Sequence, residues 1–135
     1  MSAQVLIFYD PSFPSAGNGS LSRERLRQAG AVVDAAGLAE ALRGMEGGCF
    51  VNVHAPYFPK EAWRDILAFL RRGGGLISIG GAPFRRPVRL EAGGFTAEAE
   101  QTAYHRQLNI HEMLPVDRSP VRRLQASAEV PLLEG

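Results

Sequence analysis

The sequence predicts an α/β fold of three layers, a mainly parallel sheet with helices on both faces. Three observations predict it. Short apolar runs without polar alternation recur through residue 79, as expected of strands buried on both faces. Between them lie segments whose apolar residues follow helical spacing. The connections are short, which suits right-handed strand–helix–strand crossovers.

The elements follow in order. "QVLIFYD" (4–10) is an apolar run ending at an acid, a first strand. "PSFPSAGNGS" is rich in Pro, Gly and Ser and reads as a loop. "SLSRERLRQAG" (20–30) has a serine able to cap a helix, a helix-forming middle and a glycine stop. "AVVDA" (31–35) is a second strand, and "GLAEALRGM" (37–45) places Leu38, Ala41, Leu42 and Met45 on one helical face. "CFVNVHAP" (49–56) is a third strand running into a loop. Pro59 suits the first turn of the next helix, where a proline loses no intrahelical bond. That helix carries Trp63, Ile66, Leu67 and Leu70 on one face, with Arg71 and Arg72 in its last turn and Gly73 as its stop. "GLISI" (75–79) is the fourth strand. The alternation predicts a flavodoxin-like sandwich.

After residue 84 the rhythm changes. "PVRLEAGGFTAE" resembles a hairpin around Gly93-Gly94, so residues 84–98 read as an inserted hairpin within a single domain spanning 1–135. "EAEQTAYHRQLNI" (98–110) reads as a helix and "VRRLQAS" (121–127) as a last strand. "AEVPLLEG" holds no finishing helix, as expected of a chain cut from a longer protein or of a tail packed on a partner.

Composition narrows the function classes. A formal net charge of +1 gives no sign of a nucleic-acid surface. Lys60 is the only lysine, and Cys49 the only cysteine, so an internal disulfide and a four-cysteine zinc site are excluded. The start "MSAQVLIFYD" lacks a basic region followed by an apolar stretch of signal-peptide length, and no run nears the roughly 20 apolar residues that span a bilayer. The expectation is a cytoplasmic protein with no membrane contact and no cofactor.

In an open parallel sheet, ligands bind outside the carboxyl ends of the strands, near the reversal of strand order. Those ends gather Asp10, Ser15, Asn18, Ser20, residues 35–37, His54, Tyr57, Gly80 and Gly81. Asp10 and His54 would make a general acid–base pair if their strands are neighbours. Alternatively, the acid holds loop amides and the histidine is satisfied by backbone. "SAGNGS" invites a phosphate-loop reading, but it lacks the Gly-Lys-Ser/Thr ending of a Walker loop and the G-x-G-x-x-G spacing of a dinucleotide fold. A phosphate receiver would want a lysine at a strand end, and none stands there. Metal ligation has no support, since His105 and His111 are six apart and no H-E-x-x-H occurs. Cys49 begins a strand, at the end opposite the crevice. Gly80 and Gly81 either offer amides to a ligand or serve a tight turn.

"VNVHAPYFPKEAWRDILAFLRRGGGLISIGGAPF" resembles the central part of class I glutamine-amidotransferase-like domains. It is closest to the divergent branch of trehalose-utilisation-like proteins and of carbohydrate-active enzymes such as β-galactosidases, where the domain aids trimer assembly. The resemblance covers residues 4–84, and "FLRRGGGL" is partly generic helix–turn–strand grammar. Catalytic members carry a glycine-flanked cysteine, as in G-x-C-x-G, after the strand matching "LISI". That position falls on Gly80, with Ser78 and Ala82 at the flanks, so the thiol is missing. Ser78 lies within the strand and is a poor substitute. The downstream His–Glu pair has no clear counterpart in "RRLQASAEVPLLEG", which leaves a position beyond residue 135 open.

Covalent glutamine hydrolysis needs an activated nucleophile, and this elbow has none. The expectation is a non-catalytic amidotransferase-like domain. It would serve assembly, in a longer parent chain or a homo-oligomer, or bind a small polar ligand; the resemblance alone suggests a carbohydrate. A binding role would use Asp10, His54, Tyr57 and the Gly80–Gly81 amides. Assembly would use the segment from Pro83 to Pro115, with Phe84, Phe95, Tyr104 and several arginines. The enzyme alternative is a hydrolase or isomerase using Asp10 and His54 without a covalent step.

Overall fold

The apolar runs become strands, and the amphipathic stretches become the helices that cover them. The computed structural model describes residues 4–16, 21–112 and 114. In chain order the strands are Val5–Phe8 (β1), Ala31–Val33 (β2), Cys49–Asn52 (β3), Tyr57–Pro59 (β4), Gly75–Ser78 (β5), Arg86–Glu91 (β6) and Gly94–Ala97 (β7). The helices are Arg23–Arg27 (α1), Leu38–Arg43 (α2), Trp63–Arg71 (α3) and Ala103–Arg106 (α4). The fold is mixed α/β, as the sequence predicts. Its main sheet is parallel in the order β2-β1-β3-β5, so strand order reverses between β1 and β3.

Register assigns the two faces of that sheet. Leu6 pairs with Phe50 and Phe50 with Leu76, while Ile7 pairs with Val51 and Val51 with Ile77. Leu6, Phe8 and Phe50 face the main core, where α2 contributes Leu38 and Leu42 and α3 contributes Trp63, Ile66 and Phe69. On the other face Ile7, Val51 and Val53 pack with Leu21 and Leu26, the latter from α1. Each fully buried large apolar side chain contributes roughly 1.5–3 kcal/mol, so the sheet and its helices stand or fall together. Phe69 takes the central place on α3 that the sequence reading gave to Leu67 and Leu70, which pack only partly.

Other expectations are refined or corrected. The third strand ends at Asn52, where the loop expected after it begins. Asn52, buried, accepts the His54 amide at 2.9 Å and donates to the Tyr57 carbonyl at 3.0 Å, which turns the chain out of the sheet. A loop with a cis Ala55–Pro56 bond follows. Pro59 ends β4 rather than opening a helix, and a 3₁₀ turn over Lys60–Ala62 leads into α3. Proline is tolerated because, among the described residues, β4 pairs on one side only, with β6.

The hairpin forms around Ala92–Gly93, with Glu91 opposite Gly94. It is not a free insertion, because β6 also pairs in parallel with β4 to make a second sheet, β4-β6-β7. The helix expected over 98–110 shrinks to α4. Upstream of it, the Glu98 amide donates to the Pro87 carbonyl and that of Gln101 to Arg85, and these bonds hold residues 98–101 along the second sheet. Asn109, at φ 63°, closes the segment. The strand expected over 121–127 lies outside the described residues.

The aromatic residues assigned to an interface serve the core instead. Phe84 is fully buried, and Phe58, Trp63, Phe84 and Tyr104 meet with ring centroids 5.0–5.4 Å apart. Phe95 meets Phe13 at 5.1 Å. These contacts fasten the second sheet to the carboxyl ends of the first. No described helix is long and apolar enough to cross a membrane.

Candidate functional site

The reversal between β1 and β3 brings Asp10 and His54 together, as neighbouring strands require. Their contact is not carboxylate to imidazole. The Asp10 backbone amide donates to His54 Nε2 at 3.0 Å, and His54 Nδ1 donates to the Pro14 carbonyl at 3.2 Å. Both ring nitrogens are therefore occupied, and the partners set the Nδ1–H tautomer. Burial holds the His54 pKa below its ordinary value, against the opposing pulls of the Pro14 carbonyl and the Asp10 charge. A neutral imidazole bonded to backbone on both sides is a latch between two loops.

Phe13 closes the crevice above that latch. Its ring lies 5.0 Å from Phe8, 5.2 Å from His54 and 5.1 Å from Phe95, and its side chain is buried. The turn that places it is tied by the Asp10 carboxylate, whose Oδ1 accepts the Ser12 amide at 2.9 Å. Asp10 Oδ2 accepts the Ala35 amide at 3.1 Å and so joins the loops after β1 and β2.

The open space is displaced toward β2. A cleft of about 350 Å³ lies between the turn after β2, the start of α2 and the second sheet. Ala35, Ala36, Ala39 and Ala62 leave the room, Pro59, Leu90 and Phe95 supply apolar walls, and Asp10 and Glu61 bring carboxylates. Glu61 Oε1 accepts the Leu90 amide at 2.9 Å, which ties β6 to the turn before α3. Pockets that take small ligands run from about 300 to 1,000 Å³, so this cleft is at the small end. A groove of about 510 Å³ at the amino ends of β1 and β2 is larger, but it lies away from the strand ends where the reversal gathers loops.

Of the sequence-predicted residues, Asp10 lines the cleft and His54 lies behind Phe13. Tyr57, half-buried, has the Arg86 guanidinium 5.2 Å over its ring. Ser15 is exposed, and Asn18 and Ser20 lie outside the described residues. Gly80 has φ 113°, and a side chain there would begin 2.6 Å from the Ala55 carbonyl oxygen. A Cβ on Gly81 would lie 3.0 Å from Pro56 Cδ. Both glycines are thus packed against the loop after β3, with their Cβ directions filled by protein.

Glu61 and Leu90 escaped the sequence reading, which gave Phe95 to an interface rather than to a cleft. The hairpin pattern signals Leu90 alone, and pairing of that hairpin with residues 57–59 is a long-range contact that no local pattern announces. Cys49 opens β3, half-buried, at the end away from the cleft. Among the described residues no group of three His, Cys, Asp or Glu side chains could hold a metal ion. Comparison with family models, with curated proteins and with solved structures gave no match.

Proposed function

We propose that this chain is a non-catalytic, amidotransferase-like α/β domain that binds a small polar ligand in the cleft beside Asp10. One observation carries the reading: the elbow after β5 holds Gly80 at positive φ with the Ala55 carbonyl where a side chain would go. Acyl transfer through a covalent intermediate needs a nucleophile on that turn. The non-covalent alternative needs His54 as a base, and its Nε2 already accepts the Asp10 amide. The absence of chemistry does not empty the strand ends, because the cleft remains and is partly enclosed by the second sheet.

A thermal-shift screen tests the reading, with monosaccharides, short oligosaccharides, glutamine and nucleotides as the panel. A ligand that binds only the native state stabilises it by about 2.7 kcal/mol at a hundredfold excess over its dissociation constant. Ala36→Phe would fill the cleft from an exposed position without disturbing the core. A selective shift that this variant abolishes is expected. A panel without any shift, or a shift that survives Ala36→Phe, would refute the reading.

Assembly is the second reading, favoured by a different observation. Among the described residues β5 is an edge strand, and it is poorly covered there, with Ile77 within it 49% and Ile79 just after it 46% exposed. Natural edge strands usually carry charges or bulges that discourage pairing, and "GLISIG" carries no charge. Self-association through this edge predicts a concentration-dependent mass in sedimentation equilibrium that Ile77→Lys reduces to the monomer.

A further inference from the structure

The cleft pairs two carboxylates with walls of alanine, leucine and phenylalanine, and among the described residues no cation lines it. Neither Asp10 nor Glu61 forms an ion pair among the described residues. The basic side chains near the second sheet are engaged elsewhere. The Lys60 ammonium lies 2.8 Å from Glu98, and the Arg89 guanidinium is 3.1 Å from both Glu91 and Glu98.

The carboxylates do hold backbone, but that does not exhaust them. Each ionised carboxylate has about four acceptor positions. Asp10 uses one on each oxygen, for Ser12 and Ala35, and Glu61 uses one of its oxygens for Leu90. Acceptor capacity therefore remains on both groups, whereas the described side chains lining the cleft supply no donor. A ligand that satisfies this lining has to bring the positive charge and the N–H groups itself, on an apolar body.

A metal ion fits poorly. Calcium takes six to eight oxygen ligands and magnesium keeps much of its water, and neither gains from alanine and phenylalanine walls. An aromatic or aliphatic amine meets both kinds of surface at once.

We infer that the cleft between Asp10 and Glu61 takes a small organic cation, an ammonium on an apolar body. This rests on the reading of the cleft as a ligand site and goes beyond it by assigning the ligand's charge. Glu61 is exposed, so water and salt screen its attraction and its contribution is modest.

The test compares benzylammonium, benzyl alcohol and glucose on the whole chain, followed by the backbone amide shifts of Ala35, Ala39 and Leu90. Benzylammonium should shift these amides saturably, and its affinity should fall as salt rises. Benzyl alcohol, of nearly the same shape, should bind roughly fivefold more weakly. Glu61→Gln should cost the ammonium a similar factor of about five and leave the alcohol unaffected. That variant keeps its fold, because the glutamine carbonyl still accepts the Leu90 amide.

Equal affinity for ammonium and alcohol without salt dependence would overturn the inference. So would saturable glucose binding at these amides without benzylammonium binding, although the cleft would then survive as a ligand site. If benzylammonium moves none of the three amides, the inference fails on the wild-type chain alone. The broader reading is decided separately, by the thermal-shift panel.

Discussion

His54 shows how one residue's surroundings decide its chemistry. At a strand end beside an acid it has the address of a general base, yet it donates to Pro14 and accepts from Asp10, both through backbone atoms. Burial lowers its pKa in the folded state. The unfolded chain therefore binds the proton more readily, and the stability this group contributes is complete above the unfolded value of 6.5. It is lost as the pH falls from there through the depressed folded value. Urea denaturation between pH 7.5 and pH 5 (roughly one unit above the ordinary histidine value to 1.5 below it) should show stability falling with acid. His54→Gln should flatten that slope, and an unchanged slope would remove His54 as its cause. Gly80 makes the companion case. A β-carbon there meets both a positive φ and the Ala55 carbonyl, so Gly80→Ala should cost about 2–4 kcal/mol, strain and clash together. Wild-type stability for that variant would mean the loop after β3 can move aside.

Elements are fastened to one another by groups that local rules assign to a single helix. Arg72 follows α3, where a cation complements that helix's own dipole. Its guanidinium instead donates to the Leu42 and Met45 carbonyls at the end of α2, the latter at 3.0 Å. Leu42 lies in the last turn of α2, where carbonyls lack an intrahelical partner four residues on, and Met45 lies just past the helix. Arg72→Ala should lose about 1–2 kcal/mol, and Arg72→Lys should recover part of it. Equal stability of the alanine variant in chemical denaturation would show the clamp to be idle. Asn52 works similarly between strand and loop: its amide occupies backbone groups of His54 and Tyr57 that would otherwise be buried without partners.

For the whole molecule, the two faces of the main sheet are unequally covered. The face toward α2 and α3 is sealed by fully buried residues including Phe50, Ile66 and Phe69, whereas Ile77 on the opposite face is 49% exposed. Ile66→Ala should therefore cost about 2–5 kcal/mol, while Ile77→Ala should change monomer stability by less than about 1 kcal/mol. Equal losses at the two positions, measured by thermal or chemical unfolding, would mean that the edge face is covered after all. The second sheet explains where the cleft lies. By bringing Leu90 and Phe95 over the turn after β2, it leaves open space beside Asp10 while Phe13 fills the crevice at the strand reversal.

The alternation of apolar runs and amphipathic stretches was enough to determine the α/β class, the four strands of the parallel sheet and the helices between them. Each is set by local periodicity and by glycine, proline and serine at the ends. The glycine that turns the chain after the fourth strand was equally legible, because it depends on one residue. Only the tertiary structure decided that residues 57–59 leave the first sheet for a second. It also decided that Phe84 and Tyr104 belong to the core, that His54 is a latch, and that Glu61 joins Asp10 in one cleft. These depend on pairings between segments some 30 to 50 residues apart. Such pairings are selected by the free energy of the packed whole, through burial and satisfied backbone groups, and no short stretch of sequence carries that information alone.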